Sequence, residues 1–181
     1  MEVTDEALAL AAAGGDAEAF SSLISRHYDR VFGLAFRLTG RREEAEDLTQ
    51  DVCAALPAKV GAFRGEARFS TWLYRVVVNA AHDRRRRAAA HAKAVEGWGE
   101  VELARRAEAD EAAEASGWLQ AAMRGLPEEL RDTLALVLED GVTHAAAAEV
   151  LGVSEGTVSW RMSEVKKRLK ALKEGAGHER V

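Results

Sequence analysis

Cysteine occurs once in this 181-residue chain, at Cys53, so no disulfide can form within it, as is usual in a reducing compartment. Proline occurs only twice, while alanine is abundant, a balance that favours helix over strand. No run of eighteen apolar residues occurs, so nothing reads as a membrane span. The opening stretch MEVTDEALALAAAGGDAEAF is acidic and lacks a basic n-region. No secretory signal is therefore expected, and the cytoplasm is the expected location. Neither GxxxxGK[ST], GxGxxG, GxSxG nor HExxH is present, and His27, His82, His91, His144 and His178 are scattered without a Cys–His cluster. These absences argue against a nucleotide loop, a nucleophile elbow and a metal site, so no enzymatic activity, cofactor or metal is expected.

What is present is a chain with 48% hydrophobic residues, enough to build packed cores in one domain or two small ones. Residues 16–39 place Phe20, Leu23, Ile24, His27, Val31, Leu34 and Leu38 at helical spacing, with Asp16 as N-cap and Gly40 as stop. Residues 41–56 repeat the pattern through Ala45, Leu48, Val52, Ala55 and Leu56, and Pro57 is expected to end or kink that helix. A glycine-containing loop leads to a third helix starting near Ser70 or Thr71. Residues 88–117 carry seven acids, among them Glu96, Glu102 and Asp110, with no sustained apolar stripe, and read as an acidic linker. Order returns at Trp118. LPEELRDTLALVLEDG reads as a helix opening at Pro127 and stopping at Gly141, THAAAAEVLG as a short helix capped by Thr143, and SEGTVSWRMSEVKKRLKALKEG as a long helix capped by Ser154. The apolar stripe of the last is Val158, Met162, Val165, Leu169 and Leu172. The fold class is all-α. Its expected parts are a lead-in (1–15), a helical domain (16–90), a linker (91–117), a second helical domain (118–175) and a tail (176–181).

Two stretches carry chemistry. In FSTWLYRVVVNAAHDRRRR, Arg75 and Arg84 to Arg87 stand against Asp83, a local charge of +4 in a chain whose net charge is −5. Leu73, Val76, Val77 and Ala80 share one face of this helix, while Trp72, Arg75, Asn79, His82 and Arg86 share another. A stacking ring, cations and an amide suit single-stranded nucleic acid; equally, Trp72 can be a core aromatic beside a solvated basic end. A second polar face, Glu43, Asp47, Gln50, Asp51 and Ala54, lies opposite Leu48 and Val52. It suits docking to a basic partner or simple solvation. Further on, the turn Leu151–Gly152–Val153 before a capped helix has the layout of a helix-turn-helix, in which the second helix enters a DNA major groove. Arg161 is then the guanine-reading candidate, Thr157 and Ser159 can meet bases or phosphates, and Lys166, Lys167 and Arg168 face phosphates. The alternative is a three-helix bundle with a solvated basic face. Cys53 reads as a small core residue.

Taken together, LTGRREEAEDLTQDV (38–52), FRGEARFSTWLYRVVVN (63–79) and LPEELRDTLALVLEDGVTHAAAAEVLGVSEGTVSWRM (126–162) resemble the sigma-70 family of transcription initiation factors, in its extracytoplasmic-function (ECF) group. The resemblance spans nearly the whole chain in the family's order: sigma-2 domain, linker, sigma-4 domain. It implies core RNA polymerase as partner, met at the largest subunit's clamp coiled coil by Asp47, Leu48, Gln50, Asp51 and Val52 and at the flap by the second domain. Promoter DNA is implied in two forms. Melted minus-ten strand falls to Arg64, Arg68, Phe69, Ser70, Thr71, Trp72, Arg75 and Asn79, with His82 and Arg86 on the same stripe. The minus-thirty-five duplex falls to the helix from Ser154, through Ser154, Glu155, Thr157, Ser159, Trp160, Arg161, Lys166 and Lys167. An anti-sigma factor is a further implied partner. The chain departs from the family pattern at ALPAKV with Pro57, at TVSWRM where the family often has TV-R-S-R, and at the alanine-rich THAAAAEVLG, whose small side chains predict looser packing. A stand-alone helix-turn-helix regulator is the alternative, although it has no need of AEDLTQD and TWLYR.

Overall fold

The computed structural model describes residues 3–95 and 117–178, and all regular structure among them is helical. The helices are α1 (Asp5–Ala13), α2 (Ala17–Thr39), α3 (Arg42–Val60), α4 (Phe69–Ala94), α5 (Trp118–Arg124), α6 (Glu128–Val137), α7 (His144–Leu151) and α8 (Glu155–His178). The linker acids expected between residues 96 and 116 lie outside the described residues.

Helix α2 is the central strut, and its ends follow from its sequence. The Asp16 carboxylate accepts the Glu18 and Ala19 N–H groups at 3.0 Å, and Gly40 closes the helix in the left-handed region at φ 76°. Glycine is required there twice over, because a Cβ would lie 2.7 Å from Cγ of Arg124. Leu23, Val31, Leu34 and Leu38 form its buried stripe.

Three local expectations give way to tertiary structure. Helix α3 runs through Pro57 to Val60 instead of ending there. Only one backbone hydrogen bond is lost so near its end, and the buried Leu56 and Val60 on either side pin the last turn to the core. Helix α4 starts at Phe69, without a cap from Ser70 or Thr71; the Phe69 N–H donates to the Glu6 carboxylate at 3.1 Å. That carboxylate belongs to α1, so the expected lead-in is a helix that caps another one 63 residues away. Helix α6 ends at Val137, ahead of Gly141, which holds a positive φ in the following turn.

Helix α1 is held by Asp5, which accepts from Arg26 at 3.0 Å and meets the buried His27 Nε2 at 2.7 Å. Burial opposes ionisation of Asp5, but these hydrogen bonds outweigh it and hold the carboxyl below its ordinary range. A carboxyl with a depressed folded pKa stabilises the fold above its unfolded pKa and stops doing so as pH falls through the folded value. The stability advantage of wild type over Asp5→Asn should therefore be full at neutral pH and shrink below about pH 4, as read from urea midpoints across a pH series. An advantage that persists unchanged at pH 2 would show that the carboxylate is not what holds α1.

Helices α7 and α8 form the helix-turn-helix, with α6 packed against both. Thr143 Oγ1 caps α7 at 3.1 Å, Gly152 turns the chain at φ 66°, and Ser154 Oγ accepts the Thr157 N–H at 3.1 Å to start α8. Val158 and Val165 of the expected stripe are buried and Met162 and Leu169 half-buried, but Leu172 is exposed. The alanines of α7 do not leave it loose: Ala147 and Ala148 are buried, and the helix packs against α4 as well as α6 and α8. The two groups of helices thus share one continuous apolar cluster, running from Leu23 and Leu34 of α2 through Tyr74 and Val77 of α4 to Leu134 of α6, Val150 of α7 and Val158 of α8.

Candidate nucleic-acid interface

Two faces of the first helical group carry the residues singled out in the sequence. On α3, Leu48 and Val52 point into the core, which turns Asp47, Gln50 and Asp51 to solvent. The Arg84 guanidinium of α4 donates to Asp51 at 2.6 Å and approaches Asp47 at 3.6 Å. The acidic face and the basic helix end therefore adjoin.

Along α4 the sequence-predicted stripe divides. Asn79 and Arg86 are exposed, as are Arg64 and Arg68 in the loop before it. Trp72 is half-buried, with its ring centroid 5.7 Å from Phe63 and 5.6 Å from Phe69. It is both the edge of an aromatic cluster and a partly open ring face. Ser70 is half-buried, whereas Phe69 and Thr71 are 1% and 7% exposed and face the core. Phe69 supports Trp72 and lies edge-on to His27, 5.2 Å away, so its contribution to a DNA face passes through its neighbours.

The four arginines have four different surroundings, which a run of identical letters cannot reveal. Successive residues point about 100° apart on a helix. Arg84 turns to α3, Arg86 pairs with Asp83, and Arg87 is exposed. Arg85, which the sequence reading did not single out, turns inward. It donates to both oxygens of Asp132 at 2.8 and 2.9 Å, to Glu128 at 2.9 Å and to the Leu38 carbonyl at 2.9 Å. Burial disfavours its charge, yet the Asp132 and Glu128 partners outweigh burial and raise its pKa. His82 Nε2 meets the same Asp132 at 2.7 Å. His82, Glu128 and Asp132 offer three ligand atoms within 4.8 Å of one another, but Arg85 bonds both carboxylates, which makes the group an ion-pair network.

These contacts belong to a seam between the two helical groups. Arg75 donates to the Glu149 carbonyl of α7 at 2.9 Å. Arg37 donates to the Ala135 carbonyl at 3.1 Å and pairs with Glu139, and Gln120 donates to the Phe36 carbonyl at 3.0 Å. The second group therefore engages Arg75 and His82, which stay half-exposed, while Asn79 is exposed.

On α8 the exposed residues near the start are Ser154, Glu155, Gly156, Ser159 and Trp160, followed by Ser163, Lys166 and Lys167; Thr157 is half-buried, its hydroxyl 2.8 Å from Ser154 Oγ. Arg161, the expected guanine reader, is 14% exposed and turned against α6, with Thr133 Oγ1 at 3.4 Å and Glu129 at 4.0 Å. Its position beside the half-buried Met162 cannot be separated from the outward face by spacing alone.

The chain matches two family models, Sigma-70 region 2 over residues 23–91 and Sigma-70, region 4 over residues 116–169. It is 40% identical to the ECF RNA polymerase sigma factor SigM of Mycobacterium tuberculosis, covering 94% of this chain and 85% of that one. With SigW of Bacillus subtilis it shares 26% identity over 86% of this chain and 89% of the relative. Among solved structures, CnrH in complex with the cytosolic domain of CnrY aligns with a TM-score of 0.69 at 28% identity, covering 94% of this chain and 97% of that one. RpoE of Bartonella quintana, solved with the anti-sigma factor NepR, shares the fold with a TM-score of 0.71 at 20% identity, over 87% of this chain and 98% of that one. The chain belongs to the sigma-70 family of RNA polymerase sigma factors, in its ECF group. It is a transcription initiation factor that works with RNA polymerase. No helix among the described residues is long and apolar enough to cross a membrane.

Proposed function

We propose that this sigma factor docks on the clamp coiled coil of core RNA polymerase through Asp47, Gln50 and Asp51, set in place by the buried Leu48 and Val52. It then opens the promoter and holds the non-template strand along Trp72, Arg75, Asn79, His82 and Arg86, with Arg64 and Arg68 beside a flipped base. The start of α8, from Ser154 to Lys167, reads the upstream duplex. The observation that carries this reading is the pair of adjoining faces, acidic on α3 and basic on α4, joined by Arg84. Residues 16–90 and 118–175 act as the two working domains, with 91–117 as the linker between them. The protein acts in the cytoplasm, contributes no catalytic group of its own, and leaves the chemistry to the polymerase.

In the folded arrangement Arg75 and His82 are engaged by Glu149 and Asp132, so the two helical groups separate when both take up DNA. A partner that holds them together keeps the factor silent. An anti-sigma factor would be such a partner, as one is solved in complex with a protein of this fold, and the exposed Trp118 and Leu119 would offer it apolar surface.

Flipping a base costs a few kcal/mol, and stacking returns about 1–3 kcal/mol per base. Permanganate reactivity of thymines near the start site in holoenzyme–promoter complexes tests the role of the stripe. Wild type should expose them, and Trp72→Ala with Asn79→Ala should reduce the signal at least about tenfold while core binding is retained. Equal reactivity would remove melting from this stripe.

A further inference from the structure

Trp160 is not among the side chains that form or pack against the apolar core of the described residues. It is 62% exposed, the largest value among the exposed large apolar side chains of the described residues. It also sits in the early part of α8, the second helix of the helix-turn-helix, where side chains face base edges. Its neighbours on the outward face are small: Gly156, Ser159 and Ser163 are all exposed, and Ser159 Oγ is 3.0 Å from His144 Nδ1. The indole therefore stands above its surroundings. Arg161 is turned to α6, which takes the guanidinium next to the ring away from this face. Lys166, Lys167 and Arg168, all exposed, follow where phosphates would lie; the nearby Glu164 is bound by Lys167 at 2.7 Å.

The chemistry of the outward face narrows its ligand. An indole offers a broad apolar surface and one N–H donor, and it has no acceptor with which to read a cytosine or adenine amino group. The apolar feature of the major groove is the C5-methyl group of thymine, which apolar side chains contact in direct readout. We infer that Trp160 is a specificity-determining residue that packs on a thymine methyl in the upstream promoter element, so that this chain requires a T·A pair at one defined position. The inference rests on the reading of α8 as the helix that enters the upstream duplex. It also accounts for the departure TVSWRM, in which the small Ser159 precedes the ring.

The test uses holoenzyme reconstituted with core RNA polymerase and a promoter library randomised in the upstream element. Wild type should enrich thymine at one position, and Trp160→Ala should lose that preference by about tenfold while still enriching the remaining positions. Deoxyuridine in place of that thymine removes only the methyl group. It should weaken wild-type transcription about fourfold, the equivalent of one buried methyl, and leave Trp160→Ala unaffected. Trp160→Phe should keep the sensitivity, because a phenyl ring offers the same kind of surface. Identical enrichment by wild type and Trp160→Ala, or indifference of wild type to deoxyuridine, would overturn the inference alone and assign the ring to a protein partner. No enrichment by any holoenzyme would overturn it together with the reading of α8.

Discussion

Asp132→Ala should release the second helical group from the first and cost about 3 kcal/mol of folding stability. Asp132 is 4% exposed and its partner Arg85 23% exposed, so the aspartate is removed from a nearly dry site and leaves a largely buried guanidinium without its bidentate acceptor. Deleting one member of a buried pair costs about 3–5 kcal/mol, most of it the unpaired charge left behind, and the partial exposure of Arg85 places this case at the low end. His82 loses its partner in the same step. The result should appear as a lower urea midpoint and as a larger radius of gyration by X-ray scattering, because the seam holding the two groups has lost its central tie. Substituting both partners, Arg85→Met with Asp132→Leu, should recover most of the loss, since an apolar pair leaves no charge stranded. Asp140→Ala, at an exposed carboxylate outside the Arg85 network, serves as control and should change little. Equal effects of Asp132→Ala and Asp140→Ala would show that the seam does not depend on this ion pair.

Charge reversal at Asp47 and Asp51 together, to lysine, should weaken binding to core RNA polymerase at least about 100-fold and leave the fold nearly unchanged. The two effects separate because of exposure. Asp47 and Asp51 are 57% and 55% exposed in their pairs with Arg84, and exposed ion pairs contribute about 0–1 kcal/mol. In the proposed interface the same carboxylates would lose solvent, and truncating a desolvated charge costs about 2–5 kcal/mol; reversal would add repulsion from a basic partner surface. Pull-down of core polymerase reads the loss, and circular dichroism reads the preserved helix. Full binding by the double variant would move the docking surface away from α3. A melted double variant would show that Arg84 binds α3 far more strongly than an exposed pair should.

Much of this fold was legible in the sequence where the signal is local. Asp16, Thr143 and Ser154 cap the helices they precede, and Gly40 and Gly152 take the left-handed conformation that ends them. The helix-turn-helix follows from those signals and the Val158–Val165 stripe. What escaped depends on contacts between distant residues. The Glu6 cap on Phe69 joins residues 63 apart, and nothing near Phe69 announces it. Pro57 breaks a helix in isolation, but buried neighbours on both sides carry this one through. The turn of Arg85 into the seam, and of Arg161 against α6, is decided by a few tens of degrees of helix rotation, finer than counting threes and fours resolves. For the same reason spacing places Trp72, Arg75, Asn79, His82 and Arg86 on one stripe of α4, while the core position of Phe69 and the engagement of Arg75 and His82 become visible only with the second helical group in place.

The most direct measurement is run-off transcription on fragmented genomic DNA with core RNA polymerase, in the presence and absence of this protein. Discrete start sites should appear only with the protein and vanish with Asn79→Ala, whose exposed side chain lies on the stripe proposed to hold the melted strand. No new start sites, together with no stoichiometric binding to core polymerase, would contradict the proposed function.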